Sequence, residues 1–265
     1  MLASLALSRA DPPAVDVLNP TGSAPVVFIV DHASNAVPAC LGNLGLPPER
    51  LQEHIAVDIG AAAVGRLWAE RFDAPLVLSG FSRLVIDCNR MPEDVTSIAT
   101  ESDGIVIPGN ARLNAEDAAW RKRTCFDPYH DAIAALLDAR HAKGVHPAVI
   151  SVHSFTPVFG GAAPRPWHIG ILWNKDPRLA HPYMAALREN PALKIGDNQP
   201  YSAQLNFGYS IRTHGEGRGL PHMLIELRQD LVAEPDGAAH WAKLAGDALA
   251  RVLREAPNLN QVRRY

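Results

Sequence analysis

The chain of 265 residues is poor in cysteine and carries no large excess of charge of either sign. Its three cysteines, Cys40, Cys88 and Cys125, are scattered without CxxC spacing, which argues against a disulfide framework or a thiolate metal cluster. The formal net charge is −3, so there is no basic surplus to attract nucleic acid or anionic lipid. We therefore expect a cytoplasmic protein that binds neither nucleic acid nor a membrane.

Long apolar runs and the helical zinc-binding motif are also missing. No stretch approaches the roughly 20 apolar residues of a membrane span. The apolar run within residues 1–13 is short and lacks a preceding basic segment, so no signal peptide is predicted. There is no HExxH motif, which excludes the zinc site that this motif builds on a single helix. The length favours one domain of residues 1–265, in which residues 1–23 form an N-terminal extension.

Apolar runs and helical repeats alternate along the chain, which predicts an α/β fold. This alternation indicates one mixed, mostly parallel sheet with helices on both faces. The segment 91–114 is rich in turn-forming residues and is predicted to be a long loop, of a kind that is often functional. Strands are predicted at 24–30, 74–81, 83–90, 149–157, 167–174 and 221–231, and helices at 47–72, 115–143, 177–189 and 240–255.

Polar and charged side chains come at the ends of several predicted strands. In open α/β sheets, ligands bind outside the carboxyl ends of the strands, so we expect these side chains to meet at one rim. The set consists of Asp31, His32, Asn89, Arg90, His153 and Glu226. Two histidines with a carboxylate suit a zinc ion that keeps one position open. A packed, structural histidine at a strand end is the alternative for His153.

Glu226 is the candidate for the general base. It interrupts an apolar strand between Ile225 and Leu227, where a carboxylate is costly without a partner or a function. Metal-assisted amide hydrolysis needs a carboxylate that takes a proton from water and passes it to the leaving nitrogen. An ion pair of Glu226 with Arg228 is the structural alternative.

Arginine is suited to carboxylate binding because its planar fork donates two parallel hydrogen bonds. Arg90 and Arg212 are the candidates, and a surface ion pair is the alternative for each. Arg212 lies in a glycine-containing segment that is predicted to be a loop, together with His214, which is a candidate for substrate binding.

Six short motifs in order give the chain a resemblance to the N-formylglutamate amidohydrolase family. They are DHASNAVP, VDIGA, LVIDCNR, SVHSFTP, the RTHG segment and LIELRQDL, and they span roughly residues 25 to 232. The family resembles the wider zinc carboxypeptidase and aspartoacylase group. The resemblance implies a zinc-exopeptidase-like (phosphorylase/hydrolase-like) α/β fold and one zinc ion per chain.

The resemblance also implies roles for individual residues. His32 and His153 become zinc ligands, Asn89 and Arg90 substrate binders, and Glu226 the general base, with Arg212 as a second carboxylate clamp. The zinc carboxypeptidases have a glutamate three residues after the first histidine, and this chain has Asn35 there, a poor zinc ligand. A different carboxylate must then complete the zinc shell. Asp58 in the VDIGA motif is the first choice and Asp31 the second.

The implied activity is zinc-dependent hydrolysis of a small N-acyl amino acid, with N-formyl-L-glutamate as the first candidate and formate and glutamate as products. A small zinc carboxypeptidase or a deacylase for a longer acyl group is the enzymatic alternative. A relative that binds a metal or ligand without turnover is the alternative from another class, because a fold does not fix a function.

Overall fold

The computed structural model describes residues 5–206, 208–256 and 258–265, and its centre is one seven-stranded sheet. The strand order is β1-β3-β2-β6-β9-β7-β8, and β3, β2, β6 and β9 run parallel at the centre. At the edges, β1 is antiparallel to β3, and β7 is antiparallel to β9. The strands are β1 Val15–Leu18, β2 Val26–Val30, β3 Leu76–Ser79, β6 Ala148–Phe155, β7 Ile169–Leu172, β8 Ile195–Asp197 and β9 His222–Arg228, and a separate hairpin holds β4 Glu101–Ser102 and β5 Ile105–Val106.

Helices cover both faces of the sheet, as the sequence predicted. One face packs against α1, α4 and α8 in the largest apolar cluster, and the other packs against α3 and α6. Within the described ranges, no helix is both long and apolar enough to cross a membrane. The helices are α1 Ala61–Phe72, α2 Ala115–Arg121, α3 Asp127–His141, α4 Ala180–Arg188, α5 Ala203–Asn206, α6 Tyr209–His214, α7 Gln229–Val232 and α8 Pro235–Glu255, with a π-helical turn at Lys122–Phe126 and 3-10 helices at Ala39–Leu41, Pro48–Gln52, Pro108–Asn110 and Glu216–Arg218.

The two-residue period of the strands divides their side chains between the two faces. In β6, Ile150 and Val152 belong to the cluster under α1 and α8, whereas Val149 belongs to the cluster under α3. His153 follows Val149 by four residues and therefore points to the α3 face. His153 and Glu226 are partners in the parallel pairing of β6 with β9, so both side chains lie on that face.

The predicted strand at 83–90 is wrong. Residues 82–90 form consecutive turns, with Val85 N–H donating to Ser82 O at 2.9 Å and Arg90 N–H donating to Asp87 O at 3.1 Å. The consecutive residues Leu84, Val85 and Ile86 are all buried in a third apolar cluster, beside Phe81 and Phe126. A run of apolar residues that is buried on all sides predicts a strand even where no neighbouring strand is present to pair with it.

Other element boundaries also differ from the prediction. The helix predicted at 47–72 is a 3-10 helix at Pro48–Gln52, a turn segment, and α1, which begins directly after Gly60 in a left-handed conformation with φ of 81°. The segment around Arg212, predicted as a loop, is helix α6. The short edge strands β1 and β8 were not predicted, and β1 lies inside the predicted N-terminal extension.

Candidate active site

A cavity of about 410 Å³ opens beyond the carboxyl ends of the parallel strands. It brings together most of the residues that the sequence places at strand ends, along with side chains from the turns at 82–90 and from the loops after β6 and β8. The lining includes His32, Asp58, Arg83, Asp87, Asn89, Arg90, His153, Phe155, Thr156, Phe159, Tyr201 and Glu226.

His32, Asp58 and His153 form a buried group at the bottom of this cavity, and one ligand atom from each lies within 4.8 Å of the others. Oδ2 of Asp58 is 3.2 Å from Nδ1 of His32 and 2.7 Å from Nδ1 of His153. The two imidazole rings are 5.0 Å apart between centroids and meet edge to face at 72°. Two nitrogen donors and one carboxylate oxygen therefore converge on one point, and the group could hold a metal ion.

The opposite nitrogen of each ring faces a second carboxylate. Nε2 of His32 is 2.7 Å from Oδ1 of Asp87, and Nε2 of His153 is 2.9 Å from Oδ2 of Asp31. Protons on both Nε2 atoms satisfy these contacts, and each Nδ1 atom then faces Asp58 across a position that a proton or a cation can occupy. Metal-binding histidines usually donate their other N–H to a carboxylate, which fixes the tautomer and the ring orientation. Asp31, the second choice for the third ligand, lies on the outer side of the His153 ring.

Asp31 is held by three hydroxyl groups in addition to His153. Tyr129 donates to its Oδ1 at 2.9 Å, Ser151 donates to its Oδ2 at 2.7 Å, and Ser210 also donates to Oδ1. Tyr129 comes from α3 and Ser210 from α6. Both helices on this face of the sheet therefore fix the carboxylate that orients His153.

The charges of the site support one another despite their burial. Burial by itself raises the pKa of Asp58, but the contacts with His32 and His153 hold that pKa well below its usual range. Burial opposes a charge on His153, yet its hydrogen bonds to Asp31 and Asp58 hold its pKa well above the usual value. The pocket therefore stabilises positive charge next to Asp58, as a cation-binding group must.

Arg83 bridges the two carboxylates on the His32 side. Its Nη1 donates to Asp58 at 3.2 Å and its Nη2 donates to Asp87 at 2.8 Å. Burial opposes its charge, but these two carboxylates raise the pKa of Arg83 above its ordinary value, so the guanidinium stays charged. The sequence reasoning missed both Arg83 and Asp87, because residues 83–90 were assigned to a strand in which neither side chain would be special.

Glu226 lies beside the His32, Asp58 and His153 group without taking part in a salt bridge among the described residues. Its Oε2 is buried and has no hydrogen-bond partner there. Burial raises the pKa of Glu226 to about 7, and Asp58 adds to the rise, whereas His153 and Arg83 oppose it. A carboxyl group with this pKa exchanges a proton readily near neutral pH. The predicted alternative of an ion pair with Arg228 does not occur, because Arg228 binds Asp230 instead.

Asn89 and Arg90 line the cavity on the side of α6. The side-chain oxygen of Asn89 accepts a hydrogen bond of 3.1 Å from Ser210 N–H, so its amide group is fixed. A Cβ on Gly208 would lie 2.2 Å from Asn89 Oδ1, so any larger residue at position 208 would displace the Asn89 amide group. Arg90 is half-buried, and within the described ranges its guanidinium makes no hydrogen bond. It is therefore available to an anion in the cavity.

Two of the predicted substrate-binding residues, Arg212 and His214, do not line the cavity, and neither does Asn35. Arg212 is exposed on α6, and its side chain points away from the site. His214 is buried against the ring of His130, with centroids 5.3 Å apart. Asn35 is half-buried and is not part of the group formed by His32, Asp58 and His153. Both residues were predicted near the site because their segment was expected to be a glycine-containing loop, but the segment is helix α6, which leaves Arg212 exposed and His214 buried.

Comparison with known proteins gives one family. The model of the N-formylglutamate amidohydrolase family matches residues 24–233. A crystal structure of a gene product from Agrobacterium tumefaciens is similar, with 36% identity, a TM-score of 0.87, and coverage of 93% of this chain and 98% of that one. The N-formylglutamate amidohydrolase from Ralstonia eutropha JMP134 shares the fold at 20% identity, with a TM-score of 0.74 and coverage of 92% and 98%. Among curated proteins, none matches the chain.

Proposed function

The chain belongs to the N-formylglutamate amidohydrolase family and is an amidohydrolase; we propose that it hydrolyses the amide bond of an N-acyl amino acid, with N-formyl-L-glutamate as the first candidate. The proposed metal is one zinc ion held by His32, Asp58 and His153. The observation that carries the proposal is the buried Glu226 carboxylate, unpartnered within the described residues, beside this group.

The donor set fits zinc. Zinc prefers imidazole nitrogen and carboxylate oxygen, and three protein ligands leave a position for water or substrate. The carboxylates on the outer nitrogens of both histidines supply the orienting contacts that such a site needs. A bound zinc ion would polarise the acyl carbonyl and lower the pKa of water.

Glu226 would move the proton during hydrolysis. Its pKa of about 7 lets the carboxylate accept a proton from the attacking water and return it to the leaving nitrogen at neutral pH. Its register next to His153 supports this role, because His153 is one of the three proposed zinc ligands. The neighbouring Arg83 carries a fixed positive charge that would stabilise negative charge developing on the acyl oxygen.

Asn89 and Arg90 would bind a carboxylate of the amino acid. Arg90 contributes a charge that is free of hydrogen bonds to other described residues, and Asn89 contributes an oriented amide group. These contacts would hold the scissile amide next to Glu226 and the metal. Small N-acyl amino acids are compatible with a cavity of about 410 Å³.

Replacing Glu226 by Gln tests the proposal. We expect kcat for N-formylglutamate to fall by about 100- to 10,000-fold, because the general base is lost, while the zinc content stays at one per chain. The measurement is amine release by the zinc-loaded protein, with metal analysis of the same sample. Acetyl, succinyl and dipeptide substrates run in parallel identify the acyl group.

The matched control is Glu216→Gln, because Glu216 binds Lys175 and Asn174 and does not line the cavity. It should keep wild-type turnover. A wild-type protein that binds zinc but releases no amine from any substrate would reduce the chain to a binding protein and contradict the proposal.

A further inference from the structure

The turns at 82–90 carry four residues of the cavity without a neighbouring strand that holds them. Arg83, Asp87, Asn89 and Arg90 all line the cavity. Among the described residues, no strand pairs with this segment. The side chains of an active site must keep their positions closely, because a displacement of about 1 Å can lower the rate about 100-fold. Groups outside the sheet must therefore fix the backbone of these turns.

Arg121 and Asn110 bind two consecutive backbone carbonyls in the middle of these turns. Nη1 of Arg121 donates to Val85 O at 2.9 Å, and Nδ2 of Asn110 donates to Leu84 O at 2.9 Å. The two side chains also bind each other, since Nη1 of Arg121 donates to Oδ1 of Asn110 at 2.7 Å. Both side chains are buried. They supply the hydrogen bonds that buried carbonyls would otherwise receive from a neighbouring strand.

The same two side chains connect the turns to the segment predicted as a long loop, residues 91–114. Nδ2 of Asn110 also donates to Ala99 O at 2.8 Å, and Nη2 of Arg121 donates to Gly109 O at 3.3 Å. Arg121 is the last residue of α2. One residue at a helix end therefore fixes both the turns and the segment that follows them.

The charge of Arg121 has no carboxylate partner within the described ranges. Arg121 takes part in no salt bridge there, and its Nε has no hydrogen-bond partner. Burial lowers the pKa of Arg121. A buried charge without an acidic partner is costly, so the contribution of Arg121 lies in the geometry of its hydrogen bonds to backbone carbonyls.

We propose that Arg121 is a positioning residue for the active site and acts by fixing the turns at 82–90. These turns present Asp87 to Nε2 of His32 at 2.7 Å and place Arg90 in the lining of the cavity. Arg121 itself does not line the cavity, so it acts only through these residues. This proposal depends on the proposed function, because the positioned groups are those of the same site.

Arg140 offers a matched control in another part of the fold. It also lies on a helix, α3, and also binds backbone carbonyls, with Nη1 donating to Ala24 O at 2.9 Å and Nη2 donating to Gly22 O. Burial lowers the pKa of Arg140 as well. The segment that it fixes, residues 22–24, contributes nothing to the lining of the cavity. The two arginines therefore differ mainly in what they hold.

The test compares Arg121→Lys with Arg140→Lys, because lysine keeps the charge but cannot donate as a fork. Arg121→Lys should lower zinc affinity about 10-fold, since the carboxylate that orients His32 is displaced. It should also raise KM for N-formylglutamate about 10-fold, as Arg90 shifts. Arg140→Lys should change neither quantity. Chelator competition and steady-state kinetics measure these effects, and urea unfolding shows that both variants are folded.

A double-mutant cycle with Asp87→Asn shows whether Arg121 acts through Asp87. In the Asp87→Asn background, Arg121→Lys should lower zinc affinity by less than about 3-fold, because effects that pass through one group are not additive. A loss of general stability would instead reduce the affinity by the same factor in both backgrounds.

An additive cycle, or equal changes in Arg121→Lys and Arg140→Lys, would overturn the role of Arg121 and leave the proposed function intact. If Arg121→Lys does not fold, Asn110→Asp takes its place, since it keeps an acceptor for Arg121 but removes the donation to Leu84 O and Ala99 O. A wild type that binds zinc but hydrolyses no substrate would contradict the proposed function, and the zinc affinities alone would then decide the role of Arg121.

Discussion

Among the residues that the structure describes, two pairs of buried histidines have their rings in contact, and the surroundings of the two pairs are opposite. His32 and His153 lie between three carboxylates, whereas His130 and His214 lie among aromatic rings and one backbone carbonyl. Burial lowers the pKa of His130 to about 4 and that of His214 to about 3. In the first pair, the carboxylates outweigh the same burial and raise the pKa of both histidines.

The hydrogen bonds of the second pair are satisfied with both rings neutral, the state that their lowered pKa values favour. Nε2 of His130 is 2.8 Å from the carbonyl oxygen of Cys88 and must donate to it. Nδ1 of His130 then accepts from Nε2 of His214 at 3.0 Å. Nδ1 of His214 is left without a proton, buried and without a hydrogen-bond partner among the described residues. The comparison teaches that the carboxylates, and not the burial or the contact between the rings, make one pair suitable for a cation.

The largest effect in this comparison is expected from removing one imidazole of each pair. His153→Ala should lower zinc affinity by more than about 100-fold and abolish turnover, because it removes one of the three proposed zinc ligands. Loss of a residue that only orients a ligand typically costs about 10- to 100-fold. His214→Ala should keep one zinc per chain. Metal analysis after dialysis checks both variants. Equal zinc retention in the two would remove the distinction between the pairs.

A smaller effect is expected from Asp31→Asn, which keeps the shape of the side chain but removes its charge. The substitution should lower zinc affinity about 10- to 100-fold, because His153 would lose the carboxylate that orients it and raises its basicity. Competition with a zinc chelator measures the change. The control is Asp138→Asn on the exposed end of α3, which should leave the affinity unchanged. Unaltered affinity in Asp31→Asn would mean that Asp58 alone makes the site.

The smallest effect concerns stability in acid and comes from the second pair. The folded-state pKa values of His130 and His214 lie below the value of about 6.5 for an unfolded histidine, so the unfolded chain takes up protons that the folded chain does not. Stability is therefore lost as the pH falls below about 6.5, by about 1 kcal/mol per histidine between pH 6.5 and 5.5. The loss stops only near the folded-state values.

Urea unfolding at the two pH values measures this loss, and His214→Phe is the informative variant. It keeps a ring against His130 and should lose less stability on acidification than the wild type. Groups that are common to both proteins cancel in the difference. An identical pH dependence in the two proteins would show that the buried pair does not carry the effect.

Much of the site follows from the positions at which the apolar runs of the sequence end. Asp31, His32, His153 and Glu226 come at or near the ends of apolar runs, and parallel strands bring their carboxyl ends to one edge. Asn89 and Arg90 also reach the cavity, although the predicted strand before them is a series of turns. The family resemblance added Asp58, which the pattern alone could not distinguish from an acidic residue near the start of a helix.

The remaining residues depend on contacts between segments far apart in the sequence. Arg83 binds Asp58, which precedes it in the chain, and Asp87, which follows it. Arg212 and His214 were predicted to be near the ligand, but α6 directs one to the surface and the other to His130. For the fold, long apolar strands such as β6 were predictable, whereas short edge strands such as β1 depend on a neighbour that local pattern does not reveal.

The pairing of β6 with β9 sets the spacing of the reactive groups through main-chain hydrogen bonds rather than through a loop. His153 and Glu226 are opposite each other on adjacent strands, about 4.8 Å apart along the hydrogen-bonding direction. A single-residue insertion in β9 before Glu226 would turn its carboxylate toward α1 and α8 and would remove Leu227 from the apolar cluster on that face. Insertions in the loop at 160–166 leave that spacing unchanged, so we expect this fold to tolerate changes of length there far better than along β9.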